Sequence, residues 1–273
     1  MPELPEVETV KNTLKLKLIG KKLKKVTVYH NNIIEYPTPS LFTTQLVEQQ
    51  ILDINRYGKW LIFVLDDYYL LSHLRMEGKY FFKTSNEKLE KHEHVVFELD
   101  DKTQLRYMDV RKFGKMHLIK KEEIEKTGPF LKMGLEPWDE RLTPNYLKMK
   151  YEKKKNPIKT LLLDQSIIVG IGNIYADEIL FLSKINPLKS ACSLEENELT
   201  KIIENTKQVL EKAIKEGGTT IRTYTSVDGV HGLFQQQLNV HCREGEKCCQ
   251  CKNIIIKTKV GGRGTYYCPT CQK

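Results

Sequence analysis

Four cysteines near the C-terminus constrain the fold of this chain more than any other feature. Cys248 and Cys251 form one Cys-x-x-Cys pair, and Cys268 and Cys271 form a second pair after sixteen intervening residues. This spacing predicts a zinc site of four thiolates on a ribbon of two hairpins. Because four protein ligands leave zinc no open coordination position, we expect one Zn2+ with a structural role.

The residues between the two pairs have the pattern of a hairpin. The segment 253–267 is rich in β-branched and aromatic residues on both sides of Gly261 and Gly262, which predicts strand, glycine turn and strand. Arg263 follows the glycines, so we expect its side chain at the tip of the hairpin.

The chain has seven cysteines, an odd number, and the paired ones have metal-site spacing rather than that of a small secreted disulfide framework. We therefore expect a reducing compartment. Cys192, Cys242 and Cys249 are left over. Since Cys249 directly follows Cys248, two thiols compete for one ligand position, and the spacing favours Cys248.

The amino terminus offers a nucleophile, because removal of Met1 would leave the secondary amine of Pro2. An α-amino group titrates near 7.7 to 8.0, well below a lysine side chain, and a secondary amine condenses with an aldehyde to a cationic iminium. Glu3 would stand beside it to move protons. Alternatively, Pro2 and Pro5 only shape the chain ahead of a helix. Its first turn would then contain Glu3, Glu6 and Glu8, because carboxylates suit the positive end of the helix dipole. Taken alone, the terminus slightly favours this structural interpretation.

Composition is compatible with a nucleic-acid partner. The 273 residues carry 44 Lys and Arg against 35 Asp and Glu, a net charge of +9, and such an excess attracts phosphates. Many other lysine-rich proteins have a similar balance. The length fits two domains and the zinc module. There is no apolar run of roughly 20 residues and no signal-peptide pattern, so we expect a cytoplasmic protein.

The chain divides near residue 130. Before this point, Val7, Val10 and Leu14 recur at helical spacing and Gly20 predicts the end of one amphipathic helix. Short runs rich in β-branched and aromatic residues follow, which predict a β-sandwich. The predicted strands are Val26–His30, Trp60–Leu65, Tyr68–Leu74, Lys79–Phe82, His94–Leu99, Gln104–Met108 and Lys115–Ile119.

Beyond a linker at 127–139 the pattern becomes helical. Ser193 and Glu196 predict a capping box ahead of a long amphipathic helix that ends at Gly217 and Gly218. Earlier helices are predicted over Pro144–Lys154, Ile158–Gln165 and Ile174–Ser183. The fold class is therefore α+β, with domains at 1–130, 131–238 and 239–273.

Both termini together resemble the formamidopyrimidine-DNA glycosylase family of base-excision repair. The resemblance covers essentially the whole chain and includes five internal motifs: Gly58-Lys59-Trp60, Ser72-His73-Leu74-Arg75-Met76-Glu77-Gly78, Lys91-His92-Glu93-His94, Asp109-Val110-Arg111-Lys112-Phe113-Gly114 and Gly170-Ile171-Gly172-Asn173-Ile174-Tyr175. It implies an N-terminal β-sandwich with flanking helices, a helix-two-turn-helix domain and a zinc ribbon. It also implies a monomeric glycosylase and abasic-site lyase that acts on damaged double-stranded DNA and joins the nucleoid when bound.

The resemblance implies a catalytic set of Pro2, Glu3, Lys59, Arg263 and Glu6. Pro2 is the nucleophile and Glu3 the acid and base. Lys59 and Arg263 assist β- and δ-elimination at the phosphates, although arginine is a poor proton donor and we expect Arg263 to stabilise charge. Glu6 helps orient the opened sugar or the terminus.

The resemblance also implies residues that flip the base and hold DNA. Met76, Arg111 and Phe113 would fill the space left by the extruded nucleotide, and their loop settings before glycines favour this over a place in the core. The expected DNA contacts are His92, Arg111, Lys154, Asn173 and Lys159. As alternatives, Lys154 could be a simple surface charge and His92 part of a charged turn.

Substrate choice follows from the resemblance. The form Leu4-Pro5-Glu6-Val7-Glu8 is similar to the branch for oxidised purines, 8-oxoguanine and formamidopyrimidines, rather than the endonuclease VIII branch for oxidised pyrimidines. The family folds a loop over the extruded base at 217–234.

A non-catalytic sensor of damaged DNA is a second hypothesis for the function. A third hypothesis, a ribosomal or transcription-type zinc ribbon, explains only the last thirty or so residues. His241-Cys242 stands where relatives usually carry tyrosine and glycine.

Overall fold

The computed structural model describes residues 1–219 and 234–273. The described chain forms two compact units, Met1–Leu131 with 217–219 and Lys132–Glu216 with 234–273. The finer division at 1–130, 131–238 and 239–273 stays a prediction. Most of the predicted base-covering loop, 220–233, lies outside the described residues.

The described residues of the first unit form two sheets, one long α-helix and one short α-helix. The sheets have strand orders β1-β7-β8-β6 and β2-β9-β5-β4-β3, and every neighbouring pair is antiparallel except β2 and β9. The elements are α1 Leu4–Leu18, β1 Leu23–Val28, β2 Ile34–Tyr36, α2 Pro39–Leu46, β3 Asp53–Tyr57, β4 Trp60–Val64, β5 Tyr68–His73, β6 Lys79–Thr84, β7 Glu93–Leu99, β8 Thr103–Met108 and β9 Lys115–Lys120.

The core of this unit lies between its sheets, as a β-sandwich requires. Val95 and Phe97 from one sheet and Phe63 and Leu70 from the other belong to the same buried cluster, together with Leu14 of α1. Burial of such side chains is worth about 1.5–3 kcal/mol each. The predicted sandwich with a flanking helix is confirmed.

Three elements of the first unit were not predicted, namely β2, α2 and β3. β3 contains Asp53 and Asn55, which are depleted in strands, but five residues of β3 pair with β4 in regular register. α2 begins at a proline after Thr38, whose Oγ1 accepts the Leu41 N–H. Pairing with β4 thus stabilises β3, and the Thr38 cap stabilises the start of α2, although neither segment has a strong periodic pattern.

The second unit contains helices followed by one hairpin. Its elements are α3 Pro144–Tyr151, α4 Ile158–Leu162, α5 Asn173–Ser183, α6 Glu196–Lys215, β10 Ile256–Val260 and β11 Arg263–Tyr267. α3 and α4 end three residues earlier than predicted. Among the residues described, no helix is long and apolar enough to cross a membrane.

The capping box predicted at Ser193 and Glu196 is wrong. Glu195 is the N-cap of α6, and its N–H donates to Glu198 Oε2 at 3.0 Å, whereas Ser193 Oγ donates back to the carbonyl of Ser190 at 2.8 Å. Leu194, just before the cap, is 8% exposed, and its burial shifts the helix start by two residues. The apolar face of the helix is buried as predicted.

Candidate active site

The amino terminus is both a helix start and a buried group of carboxylates. Glu3 is the N-cap of α1, and its N–H donates to Glu6 Oε2 at 2.8 Å to form a capping box. Pro2 is buried, and Glu3 and Glu6 are only 3% and 2% exposed. A helix cap alone needs no such burial of two carboxylates, which is costly without partners.

The second oxygen of Glu6 binds the segment that follows α6. Thr219 donates to Glu6 Oε1 from its backbone N–H at 2.8 Å and from its hydroxyl at 3.1 Å. Gly218 has φ +80°, and a Cβ there would lie 2.7 Å from Glu6 Oε1. Glu6 therefore joins the first residues of the chain to Gly218 and Thr219.

We expect Gly218→Ala to lower the free energy of unfolding by about 2–3 kcal/mol, because the new methyl would combine an unfavourable φ with displacement of Glu6. Gly20→Ala is the matched control, since Gly20 has φ +87° with nothing within 4 Å of a Cβ. Strain alone should cost Gly20→Ala about 1 kcal/mol. Chemical denaturation measures both, and equal losses would contradict the packing argument.

Lys59 lies in a tight turn between β3 and β4. Gly58 occupies the first turn position with φ +55°, and the Lys59 side chain is mostly buried. Arg56 ties this turn to α1, because its Nε donates to Glu8 Oε2 at 2.8 Å and its guanidinium donates to the Gly58 carbonyl at 3.1 Å. Arg56 was not predicted from the sequence, where only its place beside the Gly58 turn could have indicated this role.

The charges around the terminus perturb its titration. Burial lowers the pKa of the Met1 amino group below its ordinary value, Glu3 and Glu6 oppose this shift, and Lys59 reinforces it. The Met1 amine lies one residue ahead of Pro2. A lowered pKa increases the fraction of amine that is unprotonated, and therefore nucleophilic, at neutral pH.

A neutral histidine lies beside Lys59. Burial, with the nearby charges of Arg75 and Lys59, lowers the pKa of His73 to about 3. Its Nδ1 accepts the Arg75 N–H at 3.0 Å. The ring is therefore an uncharged acceptor throughout the physiological range.

The low pKa of His73 predicts loss of stability in mild acid. Its folded pKa of about 3 lies below the ordinary 6.5, so only the unfolded chain takes up this proton as pH falls below 6.5. Between pH 7.5 and 5 the loss should be about 2 kcal/mol in the wild type relative to His73→Gln. Denaturant titrations across this range measure the difference, and parallel pH curves for the two proteins would contradict the assignment.

The three residues expected to fill a base vacancy lie on two loops of the first unit. Met76 is half-buried after β5, whereas Arg111 and Phe113 are exposed after β8. The Arg111 guanidinium lies 4.7 Å from the centroid of the Phe113 ring. Each loop also contains a non-glycine residue with positive φ, Arg75 at 53° and Lys112 at 58°, a strained conformation common at functional sites.

Two buried residues without a predicted role, Tyr107 and Asp109, support these loops. A Cβ on Gly78 or Gly114 would lie 2.3 Å or 1.7 Å from the Tyr107 hydroxyl, so both loops pack on this one side chain. Asp109 Oδ2 accepts the Gly114 N–H at 2.8 Å, and Oδ1 accepts the Arg111 N–H at 3.0 Å. The aspartate of the motif thus shapes its own loop.

His92 lies at the margin of the same loop. It is half-buried just before β7, its carbonyl accepts the Asp109 N–H at 3.0 Å, and its ring centroid lies 6.3 Å from that of His94. It is therefore part of a structured turn beside Arg111, with a ring that is still partly accessible.

In the second unit, a glycine loop leads into α5. Gly172 is the N-cap and Asn173 the first helical residue. Gln165 holds this loop, since its Oε1 accepts the Gly170 N–H at 2.8 Å and its Nε2 donates to the Ile171 carbonyl at 2.9 Å. The Asn173 amide donates to the Gly264 carbonyl at 3.0 Å, so it is fixed against the hairpin. Gln165 was not predicted from the sequence.

Arg263 is exposed at the start of β11. Gly261 and Gly262 form the turn with φ +54° and +79°, which suits a two-residue hairpin turn. Arg263 therefore lies directly after the tip at which it was predicted. Lys154 is exposed beyond the end of α3. Both side chains are therefore accessible to a large anionic ligand.

Lys159 does not lie on the surface, so the structure contradicts a direct DNA contact for it. Its side chain is fully buried, with Nζ 2.7 Å from Asp177 Oδ1. Nζ donates to the Gly264 carbonyl at 3.0 Å and to Thr265 Oγ1 at 2.8 Å. A buried lysine requires a carboxylate partner, and the sequence could not reveal that Asp177 supplies it.

The four predicted zinc ligands come together at the end of the chain. The sulfurs of Cys248, Cys251, Cys268 and Cys271 lie within 4.8 Å of one another, with 3.4 Å between Cys251 and Cys268. A tetrahedron of Zn–S bonds needs sulfurs about 3.8 Å apart, so these thiolates fit one structural Zn2+. The adjacent Cys249 is exposed and its Sγ donates to Asn239 Oδ1 at 3.4 Å, which settles the choice in favour of Cys248.

Comparison with known families accounts for nearly the entire chain. Residues 1–116 match the formamidopyrimidine-DNA glycosylase N-terminal domain. Residues 133–225 match the H2TH domain of the same enzymes, and residues 245–273 match the zinc finger found in FPG and IleRS. The order of the three domains is the one that the sequence motifs predicted.

Individual relatives match over their full length. The formamidopyrimidine-DNA glycosylase of Bacillus cereus is 47% identical over 273 residues, 100% of this chain and 99% of the relative. A Lactococcus lactis FPG mutant in complex with DNA containing Fapy-dG has TM-score 0.93 and 39% identity, and MutM in complex with DNA containing carbocyclic 8-oxo-G has TM-score 0.92 and 40% identity; each comparison covers 100% of both chains. With this site, these domains and these relatives, the chain belongs to the formamidopyrimidine-DNA glycosylase family.

Proposed function

We propose that this protein excises oxidised purines from DNA with Pro2 as nucleophile and then cuts the strand on both sides of the empty sugar. The observation that carries the proposal is the buried group of Glu3, Glu6 and Lys59 around the amino terminus. A DNA-binding role alone requires neither a buried terminal proline nor an adjacent buried carboxylate. The protein is a DNA glycosylase of base-excision repair.

Base removal begins once Met1 has been cleaved off. The Pro2 amine attacks C1′ of the damaged nucleoside, and the bond from C1′ to the base breaks, with its electron pair leaving on the base, which takes up a proton. The sugar ring then opens at its oxygen to give an iminium between Pro2 and C1′. Glu3 serves as the acid and base for these proton transfers.

Strand cleavage follows from the charge of the iminium. It acidifies C2′, so loss of a proton there breaks the C3′–O bond and the phosphate leaves with the electron pair. Loss of a further proton, from C4′, breaks the C5′–O bond in the same way. Lys59 assists the first elimination and Arg263 stabilises the phosphate charge in the second. Water finally hydrolyses the iminium and frees Pro2.

Access to C1′ requires the damaged nucleotide to leave the helix. Met76 and Phe113 insert into the vacancy and Arg111 faces the unpaired base, which offsets an unstacking cost of a few kcal/mol. Asn173, Arg263, His92 and Lys154 hold the flanking phosphates. The exposed stack of Arg111 on Phe113 supports this role, since it presents a flat cation and an apolar ring together.

The substrate assignment rests on relatives. FPG and MutM, which cover this chain fully, are described in complexes with DNA containing Fapy-dG and carbocyclic 8-oxo-G. We extend these ligands to this protein and infer that it works as a monomer on double-stranded DNA. Since the double-stranded DNA to be repaired is the chromosome, we place the protein in the cytoplasm, at the nucleoid.

Covalent trapping tests the proposal. Protein with Met1 removed, mixed with duplex containing 8-oxoguanine opposite cytosine, should give a borohydride-stable adduct whose peptide map places DNA on Pro2. Protein with Met1 retained is the control, and it should give no adduct at Pro2. No adduct from the trimmed protein would favour a non-catalytic binder.

Lesion choice needs a separate comparison. The same assay with thymine glycol opposite adenine should show slower base release than with 8-oxoguanine opposite cytosine. A clear preference for thymine glycol would overturn the choice of oxidised purines and favour an endonuclease VIII-like activity, while leaving the nucleophile unchanged.

A further inference from the structure

A buried ionic network lies behind the two residues that the proposed function places on DNA phosphates, Asn173 and Arg263. Asp177 follows Asn173 by four residues on α5, so both side chains lie along one face of the helix. Asp177 is 1% exposed. A carboxylate so deeply buried needs several partners, and this one has them on three different segments.

Each carboxylate oxygen of Asp177 contacts different partners. Oδ1 lies 2.7 Å from Lys159 Nζ, and Oδ2 lies 2.7 Å from His241 Nδ1. Oδ2 also accepts the N–H of Tyr266 on β11 at 3.3 Å. The carboxylate therefore joins α4, the residues that lead into the ribbon and the hairpin strand that carries Arg263.

Lys159 extends the network to the residue next to Arg263. Its Nζ donates to the Gly264 carbonyl at 3.0 Å, and the Asn173 amide donates to the same carbonyl at 3.0 Å. A second Lys159 bond, to Thr265 Oγ1, is 2.8 Å long. The Gly264 carbonyl thus holds the Asn173 side chain in a fixed position relative to the backbone that follows Arg263.

Attachment of the ribbon does not depend on Asp177 alone. The neighbouring Glu178 accepts the N–H groups of Asn239, Val240 and His241 at 2.8–3.0 Å. The cysteine cluster and a separate apolar cluster around Phe181 hold the remainder of the ribbon. Loss of the Asp177–Lys159 pair should therefore loosen the Arg263 strand while the zinc site persists.

We infer that Asp177 is a positioning residue which, through Lys159, aims Arg263 and Asn173 at the DNA backbone. The inference rests on the proposed function, since it assigns Arg263 to the second elimination. Misplacement of a charge by about an ångström can cost up to 100-fold in rate, whereas the chemistry at Pro2 belongs to the first unit. The network should therefore act on δ-elimination more than on formation of the iminium.

The test uses the double variant Asp177→Asn/Lys159→Met, which removes both buried charges and leaves neither unpaired. On 5′-labelled abasic duplex under saturating single-turnover conditions, we expect the ratio of δ- to β-elimination product to fall about tenfold. Borohydride trapping at Pro2 should stay within about twofold of wild type, and zinc should remain bound. Lys257→Met is the control, because it removes an exposed charge from the same hairpin. Lys257 contacts the ring of Tyr266, whereas the network uses the backbone N–H of that residue.

Three outcomes would overturn the inference. An unchanged product ratio would show that the network does not position Arg263. A parallel fall of trapping and δ-elimination would show a general effect on DNA binding, and loss of zinc would show that the pair holds the whole ribbon. Failure of the wild-type protein to form the Pro2 adduct would instead overturn the proposed function, so the two failures are distinguishable.

Discussion

Glu3→Gln is expected to slow base excision about 1,000-fold, because positioned acid–base catalysis contributes roughly 10²–10⁴ in rate and glutamine cannot carry a proton. The amide retains the size of the side chain and can still accept a hydrogen bond, so α1 should keep its cap. Single-turnover release of 8-oxoguanine measures the effect.

The same variant should separate the two halves of the reaction. On abasic DNA the base is already gone and the Pro2 amine meets an aldehyde, so trapping should fall far less than base release. Glu122→Gln, at an exposed carboxylate, should behave as wild type in both assays. Full base excision by Glu3→Gln would exclude Glu3 as the acid and base.

Cys248→Ser is expected to abolish zinc retention and unfold the ribbon, because removal of one thiolate destroys a closed four-sulfur site. Zinc binding supplies about 10–16 kcal/mol to the folding of comparable small modules, far more than the packing of the ribbon. Loss of ordered Arg263 should then abolish δ-elimination. Atomic absorption measures the metal, and the labelled abasic duplex measures the product.

Cys249→Ser provides a closely matched control, since it changes the same atom one residue away. Cys249 is exposed and outside the sulfur cluster, so this variant should keep its zinc and its product ratio. Zinc loss from Cys249→Ser together with retention by Cys248→Ser would reverse the ligand assignment. A chelator should reproduce the effect of Cys248→Ser on the unchanged chain.

Elements with strong local signals were predictable from sequence. The seven strands expected in the first unit are all present, with ends shifted by up to three residues, and α6 buries the apolar face that its period indicated. β3 was missed because Asp53 and Asn55 disfavour strands and only pairing with β4 stabilises one there. Ser193 was mistaken for the N-cap because Ser193 and Glu196 have the same three-residue spacing as the true capping pair, Glu195 and Glu198. Burial of Leu194 favours the helix start at Glu195.

Residues in a metal-binding motif were easier to identify than residues that support a loop. The zinc cysteines stand in a motif whose chemistry follows from residue type and spacing, whereas the roles of Pro2 and Glu3 are proposed from the family resemblance. Tyr107 and Gln165 carry no such signal, because their importance lies in which loops they contact. Lys159 was misassigned for the same reason, since a lysine near a DNA-binding motif looks like a phosphate contact until its burial is known.

By itself, the sequence determined the fold class, the family and the four-thiolate zinc site, since each depends on residue type and spacing along the chain, and it led us to propose Pro2 as the nucleophile. The tertiary structure alone decided that Glu6 bonds Thr219, that Tyr107 supports two separate loops and that Asp177 neutralises Lys159 beneath the hairpin. The physical reason is that burial and long-range partners determine whether a polar side chain reacts, binds or supports, and sequence spacing does not encode either.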